Sequence, residues 1–482
     1  MADTSSPFAR TRMIGPQEPP VFERGAVKWL RENLFSGPLN TLLTVLGILA
    51  VYMMVTAVLP WLLNGVWTAN SLSECRAIIA ASAGEGADGA CWALIRERWH
   101  QFIFGFYPRA LFWRPVLAFA LMFVALAPVL YYGLNRANAL MVGIVGLLLI
   151  LALIGLGTDA PHIVMAAVVM AALLAVAWTA PARLVWVTLF YPAVGFFLLW
   201  GGSVWGPVGV LVGFAIWVLV WLALQRFLGV VVAAGVGLLV AAVWWLVVQS
   251  AVTTLLHRAM PWGLEAIDSD QFGGFLLAFV IGVAAITASL PIGILLALGR
   301  RSDMFLVKTL SVGFIEFVRG VPLITMLFTA SLLLQYFLPP RTNFDLILRV
   351  IILVTLFASA YIAEVIRGGL AALPRGQYEA ADALGLDYWQ AQRLIVMPQA
   401  LKISIPGIVS SFIGLFKDTT LVALVGLADP LQGITRIVRA DIDWKGVYWE
   451  PFIFVGAIFF VVCFSMSRYS MYLEQKLKRD HH

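Results

Sequence analysis

Between residues 116 and 249 one apolar run succeeds another, built from Val, Leu, Ala, Gly and Trp and nearly free of charge. Single arginines (Arg136, Arg183, Arg226) stand at alternate junctions. A run of ~20 such residues is the length of a helix that crosses a bilayer. Lipid offers no water to complete backbone hydrogen bonds, so each run must close them within its own helix. A water-soluble core is excluded, and the expected fold class is an all-α, polytopic membrane protein. Composition agrees: charged residues make up 12% of the chain, against about 25% in soluble domains. Laid out in order, about twelve spans are expected, at 39–63, 116–134, 139–157, 163–180, 184–200, 208–225, 228–249, 275–298, 311–338, 346–366, 404–427 and 451–472.

An even number of spans puts both termini on one side of the membrane. With that side cytoplasmic, roughly two-thirds of the 32 Lys and Arg fall inside, as the positive-inside rule requires. Arg76, Arg96, Arg98, Arg109 and Arg114 go against it, but they sit in the long interval 64–115, where the rule is weak. The net charge of +6 is spread between spans, so it speaks to topology and not to a nucleic-acid partner. Residues 1–35 read as a polar cytoplasmic tail with Pro7, Pro16, Pro19 and Pro20, ending in a short interfacial helix (Val27–Leu34). No cleavable signal peptide is expected there. Residues 36–270 read as an accessory bundle, 271–475 as the working core and 476–482 as a basic cytoplasmic tail. Cys75 and Cys91 fall outside, where a disulfide and two unconnected thiols are both open. Cys463 reads as intramembrane packing. Tryptophans such as Trp178, Trp200, Trp205, Trp244, Trp245 and Trp262 read as an interfacial belt.

The polar stretch Tyr378–Pro398 sits between two apolar runs. Its pattern predicts two short helices broken at Gly385. Ala380, Ala381, Ala383 and Leu384 form a small, smooth surface on the first, and Tyr388, Trp389 and Leu394 an apolar face on the second. Such a hairpin suits docking into a groove on a soluble partner.

Charge within apolar sequence is confined to the last five spans. Glu316 and Arg319, one turn apart, are expected to pair within their helix; Glu364 and Arg367 share a face one turn apart at an inner end, where snorkelling or bracing of the loop is expected. Lys417 is expected deep in its span with Asp418 beside it, at a position that must be paired or wet. Two readings follow for Lys417 and Asp418: a polar wall of a translocation path, or a structural ion pair at the subunit interface. No cluster of His, Asp or Glu suggests catalysis or a metal, and no Gly-rich loop ending in Lys-Ser or Lys-Thr binds nucleotide.

Five motifs in order carry a resemblance: Arg319-Gly320-Val321-Pro322-Leu323, Tyr361 to Gly369, Pro374-Arg375-Gly376-Gln377, the stretch Glu379-Ala380-Ala381 with Gly385 and Ile395-Val396-Met397-Pro398, and Lys417-Asp418-Thr419-Thr420-Leu421. The fourth resembles the EAA loop of ABC-importer permeases, with Met397 where leucine is usual. Residues 271–475 resemble the polar amino-acid permeases of the histidine, glutamine and glutamate type. The long, Trp-rich extension is similar to the M-type subunit of general L-amino-acid transport systems. The resemblance implies a five-helix ABC type I importer core whose loop, 374–402, docks on a cytoplasmic ATPase dimer. Glu379 would be the polar contact, Ala380 and Ala381 would allow close approach, Gly385 would make the turn and Pro398 would close the motif. It further implies ATP-Mg held by that separate ATPase and no cofactor on this chain. A periplasmic amino-acid-binding protein, a second permease subunit of the Q type, an L-amino-acid substrate and an inner-membrane location complete what it implies. The competing reading, an ion-coupled secondary amino-acid transporter, predicts two similar halves with acids in both; the uncharged first half argues against it.

Overall fold

The computed structural model describes residues 25–131, 135–333, 336 and 345–479. The four prolines of the tail, His481 and His482 lie outside the described residues. Structure is almost wholly helical. Among the described residues eleven helices are long and apolar enough to cross a membrane. By packing, the chain divides into two units, 1–94 and 95–482, a division that does not fall at residue 270.

The first unit holds α1 (Gly25–Asn33), α2 (Pro38–Leu63) and α3 (Leu72–Ala83). The first of these covers most of the expected interfacial helix, and α2 buries none of its residues. Cys75 on α3 is joined to Cys91 by a disulfide. Trp92, beside that bond, stacks on Trp67 at 5.7 Å. Gly65 admits the Trp92 ring so closely that a Cβ there would lie 2.5 Å from its indole nitrogen.

The second unit starts within α4 (Ala93–Phe104). It continues with α5 (Trp113–Leu130), α6 (Asn135–Gly155), α7 (Ala160–Thr179), α8 (Leu184–Trp200), α9 (Trp205–Leu228), α10 (Val230–Val243) and α11 (Gln249–Ala259). Next come α12 (Gly274–Arg300), α13 (Phe305–Gly320), α14 (Leu323–Phe328), α15 (Leu346–Ala371), α16 (Gly376–Ala383) and α17 (Tyr388–Ala391). The chain closes with α18 (Met397–Asp418), α19 (Pro430–Ala440) and α20 (Trp449–Arg479). Its main apolar core runs from Phe104 and Leu117 through Leu198 to Phe272, Ile281, Val350 and Leu427. Helices α5–α8 are therefore built into the same core as α12 and α15.

Three chain segments seal one end of this core. Gly105 pairs with Phe272, and Gly273 with Ala428. Gly105 has φ +67°, and a Cβ on it would lie 2.3 Å from the Cα of Gly273, so only glycine fits. Trp200 stacks on Phe272 at 4.5 Å, and the Tyr107 hydroxyl donates to the Leu199 carbonyl at 2.9 Å. Further out, Arg98 meets Asp441 at 2.6 Å and the Trp444 indole donates to Glu97 at 2.9 Å. Arg109 donates to His100 across 2.5 Å, which needs a neutral imidazole. Burial, then the charges of Arg109 and Arg98, lower the His100 pKa. A short antiparallel pair, β1 (Gly202–Ser203) with β2 (Gly263–Leu264), closes the same end.

Three expectations need correction. The expected span 311–338 is not one helix: α13 ends at Gly320, Val321 is extended (φ −102°, ψ 131°) and α14 starts after Pro322. Proline pushes the preceding residue out of the α region; residues 334, 335 and 337–344 lie outside the described structure. The expected 228–249 span continues to Ala259 through a π-turn at Trp244–Val248. Trp244 and Trp245 are not belt residues. Their indoles donate to the Gly209 and Val210 carbonyls of α9 at 2.8 and 3.2 Å, and Gly213 leaves room for the Trp245 ring.

Candidate functional site

The Tyr378–Pro398 stretch folds as two short helices around Gly385. Gly385 takes φ +66°, its N–H donates to the Asp382 carbonyl at 2.9 Å, and that of Leu386 donates to Ala381 at 3.2 Å. This paired bonding is a Schellman stop, which favours glycine. Two residues on, Asp387 and Gln390 form a reciprocal capping box that starts α17. The helix then widens into a π-turn at Gln392–Val396. Pro398 follows and has no N–H to return to Leu394, a local reason for the widening.

Helix α16 has three faces. Ala380, Ala383 and Leu384 are exposed, Leu384 at 73%. Ala381 is 0% exposed and packs inward, so the expected smooth surface lacks it: helical rotation carries it toward the root of the hairpin. Arg375, Tyr378, Glu379 and Asp382 share the third face and line a cavity of about 310 Å³ with Arg301, Leu370, Ala371 and Leu373. Glu379 is exposed and makes no ion pair among the described residues. Beyond the turn, Tyr388, Trp389 (62% exposed) and Leu394 continue an open apolar surface.

The root of the hairpin is firmly held. Leu373, Val396, Met397 and Ala400 join Ile366 and Leu370 in a second apolar core. The Gln399 amide donates to Gln377 at 2.9 Å, and Arg301 donates to the Tyr378 hydroxyl at 2.9 Å. Nearby, Glu364 gathers three arginines: Arg367 within its own helix at 2.9 Å, Arg300 at 3.3 Å and Arg319 at 3.7 Å. Glu316 pairs with Arg300 at 2.8 Å. The expected pairing of Glu316 with Arg319 is thus replaced by bonds between helices, since partners on α12 and α15 lie closer than the next turn. Glu364 and Arg367, which share a face, pair within their helix. The hub role of Arg300 was not read from the sequence; the only signal was two arginines in succession at a span end.

Lys417 and Asp418 sit in the last turn of α18, which begins at Met397 and tightens after Asp418 to a 3-10 turn. Among the described residues of this chain neither makes an ion pair. Asp418 lines a cavity of about 240 Å³ between α15 and α18 with Tyr361, Ser411 and Phe412. Ser411 is a polar neighbour that the sequence pattern did not single out, and Tyr361 opens the second of the five motifs.

Residues 289–479 match the family described as binding-protein-dependent transport system inner membrane component. The glutamate/glutamine/aspartate/asparagine transport system permease protein BztC of Rhodobacter capsulatus is 64% identical over 481 residues, covering 100% of both chains. The inner membrane amino-acid ABC transporter permease protein YhdY of Escherichia coli is 34% identical, over 94% of this chain and 93% of its own length. A solved structure described as an amino acid ABC transporter with histidines is 29% identical over 42% of this chain and 91% of its own, with a TM-score of 0.38. The first two alignments run through the N-terminal extension as well as the C-terminal part. The chain belongs to the amino-acid ABC importer permeases, as a multi-pass membrane subunit of a binding-protein-dependent system.

Proposed function

We propose that this permease carries L-amino acids inward across the inner membrane, with the acidic amino acids and their amides, named for its Rhodobacter capsulatus relative, as the first substrates to test. Transport is driven by a separate cytoplasmic ATPase dimer that holds ATP-Mg; this chain binds no cofactor and hydrolyses nothing. A periplasmic amino-acid-binding protein delivers the substrate, and a second permease subunit of the Q type completes the pathway. Both termini are cytoplasmic.

The observation that carries the coupling reading is the hairpin Glu379–Leu394, which leaves Leu384, Tyr388, Trp389 and Leu394 uncovered on a base tied to the bundle. A contiguous apolar patch of this kind marks a protein partner. Ala380 permits close approach, Gly385 sets the angle between the two helices, and Glu379 offers a free carboxylate beside them. The Cys75–Cys91 bond lies between α2 and the next span, which suits an oxidising periplasm for that interval. Arg300, Arg301, Arg375 and Arg393 cluster at the hairpin end, as suits a cytoplasmic face. Asp418, with Tyr361 and Ser411, supplies a polar wall for a zwitterion within the bundle, and Lys417 flanks it.

Co-purification with the cognate ATPase tests the coupling reading. Wild type retains the ATPase, whereas Glu379→Lys and Gly385→Pro lose it or uncouple ATP hydrolysis from uptake while inserting in the membrane normally. Failure of wild type to bind any ATPase, with uptake that follows the proton gradient, sinks the reading in favour of a secondary transporter.

A further inference from the structure

The loop end of α12 carries two arginines in succession that face different partners. Arg300 holds Glu316 of α13 at 2.8 Å and Glu364 of α15 at 3.3 Å. Arg301 donates to the Tyr378 hydroxyl of α16 at 2.9 Å, with its guanidinium 5.4 Å from the centre of the Tyr378 ring. It also reaches the Leu370 carbonyl at 3.4 Å. One residue before the pair, Gly299 lies so near α13 that a Cβ would meet the Ser311 hydroxyl at 2.3 Å. The end of α12 is thus packed against α13, ion-paired to α15 and bonded to the hairpin, all within three residues.

We propose that Arg301 and Tyr378 form the joint through which movement of the coupling hairpin is passed to α12, with Arg300 spreading it to α13 and α15. This rests on the coupling reading above. Energetic coupling between sites needs a physically continuous path, and this pair joins the hairpin to the first helix of the C-terminal core. The fork of arginine fits this role because it holds a hydroxyl and lies against an aromatic ring together, which a lysine ammonium cannot reproduce. Arg301 and Tyr378 are positioning residues. The exposed apolar docking residues, Leu384 and Trp389, lie on other faces of the hairpin, and only Glu379 of the docking contacts shares the face of Tyr378.

The test uses the complete importer, with its ATPase and binding protein, reconstituted in lipid vesicles. Arg301→Lys, Tyr378→Phe and the double variant are compared for ATPase retention and for substrate moved per ATP hydrolysed. The expected result is full retention, with the transport-to-hydrolysis ratio falling about tenfold in each single variant, the order set by one lost charge-assisted hydrogen bond. The double variant should fall no further than either single, because both remove one interaction. Tyr378→Phe keeps the ring and its packing, so a fall there is not a folding defect. An unchanged ratio in both singles overturns the proposal, as do two losses that multiply. Loss of the ATPase from both variants also overturns it, since the pair would then belong to the docking surface. If wild type itself retains no ATPase, the coupling reading fails first and independently.

Discussion

Glu364→Gln probes the ion cluster at the hairpin end without changing shape. The wild-type cluster holds Arg300, Arg319 and Arg367 against Glu364 and Glu316. Glu364 touches all three arginines and its side chain is 21% exposed, whereas Glu316 touches only Arg300 and is 53% exposed. An exposed pair is worth about 0.2–1 kcal/mol, and more within a network. Discounted for its partial exposure, loss of the Glu364 charge removes three pairs and leaves three guanidiniums with one counter-charge, Glu316, which touches Arg300 alone, a cost of about 2 kcal/mol. Loss of the Glu316 charge removes one screened pair and costs about 0.5 kcal/mol. Thermal unfolding in detergent, followed by far-ultraviolet circular dichroism, should place Glu364→Gln clearly below Glu316→Gln and wild type. Raising ionic strength should narrow the gap, because salt screens the exposed pairs first. Equal losses in the two variants, or a neutral Glu364→Gln, would show that the arginines are held by solvent and not by the glutamate.

Other expectations follow from separate regions. Gly105→Ala must open the close pairing with Gly273 and take a positive φ, so folded yield should collapse, while Gly433→Ala, with nothing within 4 Å, should be neutral in the same size-exclusion assay. Removing the Cys75–Cys91 bond, which spans 16 residues, should cost about 3 kcal/mol of local stability, read as faster proteolysis of 64–92 in the Cys75→Ser/Cys91→Ser variant. His100, whose pKa is lowered by burial and by Arg109 and Arg98, is neutral in the fold while the unfolded chain binds a proton below 6.5. Stability should therefore fall as pH drops from neutral through that value, and His100→Gln should flatten the fall in a thermal-unfolding series. Asp429, 0% exposed and pushed up to about 6 by burial, acts in the opposite sense. Its contribution is full below 3.8 and lost as pH rises through about 6, so Asp429→Asn should remove that loss.

Sequence carried the fold class and the hairpin because both rest on local chemistry. Apolar length defines a span, and Gly385 with Asp387 and Gln390 defines a stop and a start within ten residues of each other. What sequence could not supply depended on which helix stands next to which. Glu316 and Arg319 sit at ideal spacing for each other, yet Arg300 and Glu364 on neighbouring helices are the partners they find. Trp244 and Trp245 carry the composition of an interface belt, and it is the α9 backbone carbonyls beside them, with the space at Gly213 for the Trp245 ring, that hold them. Ala381 differs from Ala380 by one step of helical rotation, which no composition reveals. The break at Val321–Pro322 was legible in principle, since a proline inside an apolar run is a stop signal.

The shared core of α5–α8 with α12 and α15 has a consequence for how the protein is made. Tyr107 and Trp200 are synthesised well before Phe272, the ring that both finally touch. The early helices must therefore wait in the bilayer with an uncovered seam, and α12 inserts against a surface already formed. A chain started at residue 271 would leave the side of this core that α5–α8 cover open.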